Sequence, residues 1–153
     1  MSSFGANVIW HRQESEKFTD RRYSRGHAWQ FDGGVEVPAS SSPHVVPIPY
    51  SIAENVDPEE AFVASLSSCH MLFFLHFASD AGLVIDHYDD AATGVMETVD
   101  GKTRITKVTL RPKVTYGGQG PDIDLEDELH HRAHEACFLA NSVTTEVVTE
   151  PVR

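Results

Sequence analysis

One long stretch of small and apolar residues, from Ala61 to Ala78, limits the folds that this chain can adopt. Besides Cys69, its only ionisable side chains are His70 and His76, so a helix formed here is apolar on nearly every side. A helix of that kind is buried over most of its surface in a folded protein. Because a chain of 153 residues has little other core material, we expect a second subunit to complete the burial and predict a homodimer.

The residues around this stretch are those that begin and end helices. Asp57 caps a helix, and Pro58 suits its first turn. Glu59 and Glu60 then complement the positive end of the helix dipole. Gly82 is a residue that stops a helix. The sequence therefore predicts a helix from about residue 58 to 81.

The rest of the chain shows the alternation and the turn residues of β-strands, with a second helix late in the sequence. Predicted strands cover 6–11, one or two segments within 23–31, 87–98, 103–115 and 143–148, and the second helix covers about 125–139. Asp100-Gly101 between the two long strands is a hairpin signal, and four prolines within 38–56 indicate a long loop. This order of elements predicts a single α+β domain, residues 1–153, in which antiparallel strands pack on two helices.

The composition is that of a soluble globular protein, with 41% hydrophobic and 23% charged residues. A formal net charge of −11 disfavours a nucleic-acid partner, because phosphates attract a basic surface. A segment that spans a bilayer needs roughly 18 apolar residues, and the sequence predicts no run of that length. We therefore expect no membrane partner. The first residues lack the basic region and apolar core of a signal peptide, which predicts a cytoplasmic protein with reduced thiols.

The two cysteines are the main candidates for chemistry, and each lies on a predicted helix. Cys69 lies among the small side chains of the first helix, and Cys137 lies near the end of the second. They are too far apart in sequence for a short-range metal knuckle. Since the thiolate is the reactive form of cysteine, the pair predicts a reacting thiol and a resolving partner. The alternative for Cys69 is a buried small hydrophobic residue.

The nine histidines of the chain raise the alternative of a metal site. His130, His134 and Cys137 fall on one face of the second predicted helix, at a spacing that suits zinc or copper. His131 or Glu135 is the candidate for a fourth ligand. Histidines at this spacing more often form a solvated helix face, so we expect neither a metal nor another cofactor.

The chain resembles the OsmC/Ohr family of thiol-dependent peroxidases in two paired motifs. The segment Asp57-Pro58-Glu59-Glu60, with Cys69 ten residues after its first glutamate, is similar to the first motif of that family. Cys137, followed by Asn141-Ser142, is similar to the second. The resemblance extends over roughly residues 6 to 149. It implies an OsmC-like fold, an intertwined homodimer and active sites at the dimer interface.

The resemblance also implies a mechanism for the two thiols. Cys69 attacks a hydroperoxide and becomes a sulfenic acid. Cys137 condenses with it to a disulfide, which an external dithiol reduces. The five large apolar side chains of the first helix favour an organic hydroperoxide over hydrogen peroxide: Phe62, Met71, Leu72, Phe73 and Phe74. The alternative function is a non-catalytic dimer that binds a small apolar ligand at its interface.

Two charged residues complete the implied site. Glu59 matches a glutamate that the family pairs with an arginine, and Arg25 is the favoured arginine, with Arg21 and Arg22 as alternatives. Ten residues of straight helix separate Glu59 from Cys69 by about 15 Å. We therefore expect Glu59 to serve the site of the other subunit, unless the helix is broken.

Overall fold

The structure is a computed structural model that describes all residues, 1–153, and it consists of two compact units. The first unit is Met1–Ala61 and the second is Phe62–Arg153. The first helix, α1 (Pro58–Asp80), begins in the first unit and continues in the second.

The first unit is built on a three-stranded antiparallel sheet. Its strands are β1 (Asn7–Ile9), β2 (His27–Gln30) and β3 (Glu36–Ala39), in the order β1-β2-β3. The strands predicted at 6–11 and 23–31 are therefore present but shorter, and β3 enters the region predicted as loop. The connection between β1 and β2 contains residues 12–25, a basic stretch with five of the 12 lysines and arginines of the chain.

The segment between β3 and α1 has no regular secondary structure, as predicted, and hydrogen bonds hold it in place. The backbone N–H of Ser40 donates to the carbonyl of Val56 at 3.0 Å. The hydroxyl of Ser40 accepts from the backbone N–H of Ile52 at 2.9 Å. Ser40 is fully buried, so this loop is anchored in the interior of the unit at the residue that follows β3.

Helix α1 confirms the predicted cap and the predicted stop. The carboxylate of Asp57 accepts from the backbone N–H of Glu60 at 2.8 Å, and the carboxylate of Glu60 accepts from the backbone N–H of Asp57 at 3.1 Å. This reciprocal pair is a capping box, which satisfies two backbone donors of the helix terminus. Gly82 adopts a φ of +77°, the left-handed conformation that ends many helices.

Only one side of α1 is fully buried in the single chain, and the remaining apolar side chains are partly buried or, like Leu72, exposed. Its buried side chains form one stripe with four-residue spacing: Leu66, His70, Phe74 and Ala78. The expectation that no apolar segment reaches membrane-spanning length is wrong, because α1 is long and apolar enough to cross a membrane by length and composition. Core helices of soluble proteins meet the same criterion, and 22% of the apolar window of α1 is buried.

The second unit contains two sheets and a second helix. Its elements are β4 (Ile85–Asp90), β5 (Thr93–Val99), β6 (Lys102–Leu110), β7 (Pro112–Tyr116), α2 (Ile123–Ala136), a 3₁₀ turn (Ala140–Ser142) and β8 (Glu146–Thr149). β4 pairs with β7, and the other sheet has the order β5-β6-β8. Helix α2 begins two residues before its predicted start and ends three residues before its predicted end.

Each of the two long strands predicted at 87–98 and 103–115 is in fact two strands, which is a correction. Asp90 lies where the first of them breaks. Its carboxylate accepts a hydrogen bond from the backbone N–H of Arg111, at the break in the second, and another from the hydroxyl of Ser67, both at 2.5 Å. The hydrogen bond from Arg111 joins the break between β4 and β5 to the break between β6 and β7. Both chain segments therefore pass from one sheet to the other at adjacent positions.

The turn between β5 and β6 confirms the predicted hairpin, whereas the last strand corrects the predicted sheet. Asp100 and Gly101 both have positive φ, 52° and 74°, as a two-residue hairpin turn requires. β8 pairs with β6 in parallel, so the strands are not all antiparallel as predicted. The physical reason is that α2 lies between them in sequence, and a helical crossover returns the chain in the same direction.

The core of the second unit has two apolar clusters, and each includes part of the buried stripe of α1. One contains Phe74 and Ala78 of α1 with Leu129 and Ala133 of α2. The other is formed by Leu66 of α1 with two residues of β6, Val108 and Leu110. These contacts fix the position of α1 relative to α2 and β6, and with it the position of Cys69.

Candidate functional site

The two cysteines lie next to each other in the second unit. Cys69 is half-buried in the middle of α1, and Cys137 is fully buried at the C-terminal end of α2, where it is the cap residue. Both are free thiols. Burial raises the pKa of the Cys137 thiol above its usual range, and the adjacent Cys69 thiol raises it further. The fold thus brings together the two thiols that the sequence singled out.

The end of α2 explains the residues that follow Cys137. The backbone N–H of Ala140 donates to the Cys137 sulfur at 3.4 Å, which partly offsets the rise in pKa of this thiol. The side-chain amide of Asn141 donates to the carbonyl of Glu135 at 3.1 Å. The hydroxyl of Ser142 donates to the carbonyl of Phe138 at 2.6 Å. The motif formed by Cys137, Asn141 and Ser142 therefore ends α2 before residue 139, and the chain then forms a turn beside the Cys137 sulfur.

A cavity of about 550 Å³ lies beside Cys69, and we call it the thiol cavity. Its walls are lined by Ser65, Ser68, Leu72, Phe73, His76, Phe138 and Leu139. Leu72 is 60% exposed and Phe138 is 71% exposed in the single chain. His76 carries the one ionisable group on these walls besides the thiol, and its Nε2 lies 3.5 Å from the Asp80 carboxylate. The thiol therefore faces a mainly apolar space.

The apolar side chains of α1 do not all serve this cavity. Leu72 and Phe73 line it. Phe74 is instead fully buried in the core, and Phe62 packs against the cluster around Leu66. The large apolar side chains of the helix are thus divided between folding and the cavity.

A buried pair of histidines takes the place of the metal site that the sequence raised as an alternative. Nε2 of His70 and Nδ1 of His130 share a hydrogen bond of 3.0 Å, and their rings are stacked with a centroid distance of 5.3 Å. Burial, then the charge of His134, lowers the pKa of His70 to about 4. Burial, then the charge of His70, lowers the pKa of His130 to about 3. No three His, Cys, Asp or Glu side chains are grouped to hold a metal ion.

Glu59 lies in the first turn of α1, and the helix is continuous from there to Cys69. Ten residues of helix place the two side chains about 15 Å apart along the axis. The Oε2 atom of Glu59 is buried and has no hydrogen-bond partner. A buried carboxylate oxygen without a partner is costly, so this atom is suited to accept a further hydrogen bond.

Arg25 lies in the first unit and has no carboxylate partner. One guanidinium nitrogen, Nη1, donates to the carbonyls of Arg21 at 2.8 Å and of Tyr23 at 2.5 Å. The guanidinium carbon lies 3.6 Å from the centroid of the Tyr23 ring, which is a cation–π contact. Nε and Nη2 donate to no group of the protein. These two nitrogens therefore remain free to bind an external oxygen.

The two alternative arginines are placed differently from Arg25. Arg21 and Arg22 are exposed. Arg21 adopts a φ of +65° and contributes its backbone carbonyl to Arg25. The backbone N–H of Arg22 donates to the Asp20 carboxylate at 2.9 Å. Arg25, in contrast, lines a cavity.

That second cavity, of about 450 Å³, was not predicted from the sequence, and we call it the aromatic cavity. Three of its lining residues are aromatic: Trp10, Phe18 and Tyr23. Phe18 has a φ of +69°, a left-handed conformation that costs a bulky residue about 1–2 kcal/mol. The sequence signal that could have found it is the position of these aromatic residues, with Trp10 just before Arg12 and with Phe18 and Tyr23 among the basic residues that follow.

Comparison with known proteins decides the family. The family model described as OsmC-like protein matches residues 53–151, which include both cysteines and Glu59. The chain belongs to the OsmC-like family. This confirms the resemblance that the paired motifs predicted and the OsmC-like fold with mixed helices and sheets. No curated protein matches the chain.

Solved structures of OsmC-like proteins agree with the fold. An OsmC-like protein of unknown function from Vibrio cholerae shares 54% identity with a TM-score of 0.96, covering 99% of this chain and 100% of that one. An organic hydroperoxide resistance protein from Elizabethkingia anophelis shares 15% identity with a TM-score of 0.71, and the match covers 99% of this chain and 98% of that one. The organic hydroperoxide resistance protein OhrB of Bacillus subtilis shares 21% identity with a TM-score of 0.65, and the match covers 97% of this chain and 98% of that one. At these low identities the last two show the fold alone.

Proposed function

We propose that this OsmC-like protein is a thiol-dependent peroxidase that reduces organic hydroperoxides. The observation that carries the proposal is the pair of free thiols, with Cys69 open to an apolar cavity and Cys137 buried beside it. A reacting thiol must be reached by its substrate, whereas a resolving thiol needs to reach only the first sulfur. The difference in exposure between the two cysteines matches this division of roles.

In the first step the Cys69 thiolate attacks the terminal oxygen of the hydroperoxide, the one that carries the hydrogen. A sulfur–oxygen bond forms as the O–O bond breaks, and the leaving alkoxide takes up a proton and becomes an alcohol. Sulfur is oxidised to sulfenic acid and the peroxide is reduced. The apolar walls of the thiol cavity, including Leu72, Phe73 and Phe138, favour an organic hydroperoxide over the small and polar hydrogen peroxide.

In the second step the Cys137 thiol condenses with the sulfenic acid, which forms a disulfide and releases water. Because its pKa is raised, Cys137 stays protonated at neutral pH until the sulfenic acid forms beside it. An external dithiol then reduces the disulfide by two exchange steps and restores both thiols. No metal or other cofactor takes part in this cycle.

Arg25 and Glu59 act in the site of the partner subunit in this proposal. Two observations leave both side chains available for that site: the Arg25 guanidinium has no carboxylate partner, and the buried Oε2 of Glu59 has no donor. In the dimer, Arg25 lies beside the Cys69 thiolate of the partner subunit and favours its charged form. Glu59 binds the guanidinium and fixes its orientation.

The dimer itself is supported by the uncovered surface of α1. Only the stripe of Leu66, His70, Phe74 and Ala78 is buried in the single chain. The opposite side carries apolar residues such as Leu72. A second copy of α1 against this side buries both apolar surfaces at once and places the cysteines at an interface.

A non-catalytic dimer that binds an apolar ligand is the second candidate, and the size of the thiol cavity favours it. A space of about 550 Å³ with mainly apolar walls fits a small ligand without any reaction. Such a protein protects no cell from peroxide and consumes none. The two candidates therefore differ in one measurable property, turnover.

The experiment that tests the proposal is peroxide consumption by the pure protein. Cumene hydroperoxide is supplied in excess, with a dihydrolipoyl-type dithiol in one reaction and a monothiol in another. The peroxidase consumes peroxide repeatedly with the dithiol, and Cys69→Ser does not. A protein that binds the peroxide but consumes none with either reductant is the non-catalytic binder.

A further inference from the structure

The aromatic cavity has the geometry of a binding site for an aromatic ring. The ring centroids of Trp10 and Phe18 are 5.8 Å apart, and those of Trp10 and Tyr23 are 5.6 Å apart. Phe18 and Tyr23 are closer, at 4.6 Å. Aromatic rings attract one another in offset or edge-to-face arrangements at centroid distances of 4.5–7 Å. The aromatic ring of a ligand in this cavity can therefore form the same kinds of contact with Trp10, Phe18 and Tyr23.

The three rings are held in place before any ligand binds. The indole N–H of Trp10 donates to the carbonyl of Ser24 at 2.8 Å. The backbone N–H of Ser24 in turn donates to the Glu16 carboxylate at 2.9 Å. Phe18 keeps its ring on the cluster although its backbone has a φ of +69°, a conformation that a phenylalanine rarely adopts. Because the rings are ordered in advance, a ligand loses little affinity in ordering them.

Arg25 makes one side of the aromatic cavity polar. Its guanidinium stacks on Tyr23 and keeps Nε and Nη2 free of protein acceptors. His27, which also lines the cavity, is engaged through Nδ1 with the Arg25 carbonyl at 2.7 Å and through Nε2 with the Trp29 indole N–H at 3.1 Å. The hydroxyl of Ser41 lines the cavity too, and its Oγ is buried without a hydrogen-bond partner. The free donors of the cavity are therefore those of Arg25 and the Ser41 hydroxyl, and they select a ligand with an oxygen acceptor close to its ring.

We propose that the aromatic cavity binds the ring of an aryl hydroperoxide whose peroxide oxygens accept hydrogen bonds from Arg25. Aromatic hydroperoxides are then preferred over aliphatic ones of the same size. This inference rests on the peroxidase function proposed above and names its substrate class. An aliphatic body gains contact area in the cavity, but it lacks the ring–ring attraction that Trp10, Phe18 and Tyr23 offer.

The test compares the binding of two alcohols, cumyl alcohol and its cyclohexyl analogue, which differ only in the aromaticity of the ring. Binding is followed by isothermal titration calorimetry in a Cys69→Ser background, which keeps the hydrogen bond between Trp29 and His27. We expect cumyl alcohol to bind roughly three- to tenfold more tightly, the usual gain from one or two aromatic contacts. Equal affinities of the two alcohols, or no saturable binding of either, would overturn the inference.

Two substitutions place the effect in the aromatic cavity. Phe18→Leu removes one ring, and we expect the ratio of the two affinities to fall close to one. Phe18→Gly, which also relieves the positive φ, gives the same loss. Phe31→Leu is the matched control, because Phe31 is exposed to a similar degree, 40% against 43%, and does not line the cavity. A ratio that survives Phe18→Leu unchanged overturns the placement.

This binding test separates the inference from the proposed function. The two alcohols carry no peroxide, so their affinities do not depend on turnover. A protein that consumes no peroxide but prefers cumyl alcohol rejects the peroxidase and retains an aryl-binding cavity. A protein that consumes peroxide and binds both alcohols equally retains the peroxidase and rejects the aryl preference.

Discussion

His70 of α1 and His130 of α2 share a hydrogen bond of 3.0 Å in the core, between two residues that are 60 positions apart in sequence. A shared hydrogen bond requires that one nitrogen donates and the other accepts, which two neutral imidazoles can do. Nδ1 of His70 and Nε2 of His130 are buried and without partners, so neither ring has a means of stabilising an added proton.

This pair makes the stability of the fold depend on pH. Both folded pKa values lie below that of unfolded histidine, at about 4 and about 3. The unfolded state therefore binds more protons than the folded state below pH 6.5 or so, and stability is lost as the pH falls from there towards 4. Between pH 7 and pH 5 we expect a loss of about 2 kcal/mol for each histidine.

Urea unfolding at several pH values between 7 and 5 checks this prediction. His70→Gln keeps a hydrogen-bonding partner for His130 but removes one titrating group, so its stability should vary less with pH. His87→Gln, at an exposed position, is the control and should vary as the parent does. A parent protein whose free energy of unfolding is constant over this range would contradict the account.

The capping box of α1 gives a prediction about stability alone. Asp57→Ala removes the acceptor for the Glu60 backbone N–H, and loss of an N-cap of this kind costs about 1 kcal/mol. Asp57→Asn keeps an acceptor oxygen and should lose much less. Thermal unfolding of the three proteins measures the difference, and an Ala variant as stable as the parent would show that the box contributes nothing.

The ends of α1 could be predicted because their signals are local. Asp57 and Gly82 act on backbone groups within one turn of themselves, so the residue types alone indicate the cap and the stop. The division of the long strands could not be predicted in this way. It depends on the Asp90 carboxylate and the backbone N–H of Arg111, which is 21 residues away.

The same distinction holds for the candidate site. Cys69 and Cys137 stood out because each lies in a motif of characteristic spacing, and the fold places them side by side. The His70–His130 pair depends on how α1 and α2 pack against each other, and the sequence pattern of either helix alone does not predict this packing. The aromatic cavity depends on a left-handed backbone at Phe18, a conformation that residue type disfavours and that sequence reasoning therefore does not expect.

Sedimentation tests the proposed dimer. Leu72 is 60% exposed in the single chain and lies on the uncovered side of α1, so Leu72→Glu should place a charge in the interface and yield monomers at micromolar concentration. Val84→Glu adds the same charge at an equally exposed position outside α1 and should leave the dimer intact. A parent protein that sediments as a stable, folded monomer would contradict the shared active site.

Alkylation rates test the choice among the three arginines. In a Cys137→Ser background, Arg25→Ala should shift the pH midpoint of Cys69 alkylation upward by about one to three units, because a nearby cation stabilises the thiolate. Arg22→Ala, at an exposed position, should leave the midpoint unchanged. A shift in Arg21→Ala or Arg22→Ala but not in Arg25→Ala would assign the role to that neighbour.

The most direct test of the peroxidase is a count of free thiols before and after one equivalent of cumene hydroperoxide. We expect the rapid loss of two thiols per chain in the parent, since Cys69 and Cys137 form a disulfide. Cys137→Ser should lose one thiol, as a sulfenic acid that excess peroxide oxidises further. Cys69→Ser should keep its thiol. If the parent retains both thiols, or if Cys137→Ser reacts as slowly as Cys69→Ser, the account is contradicted.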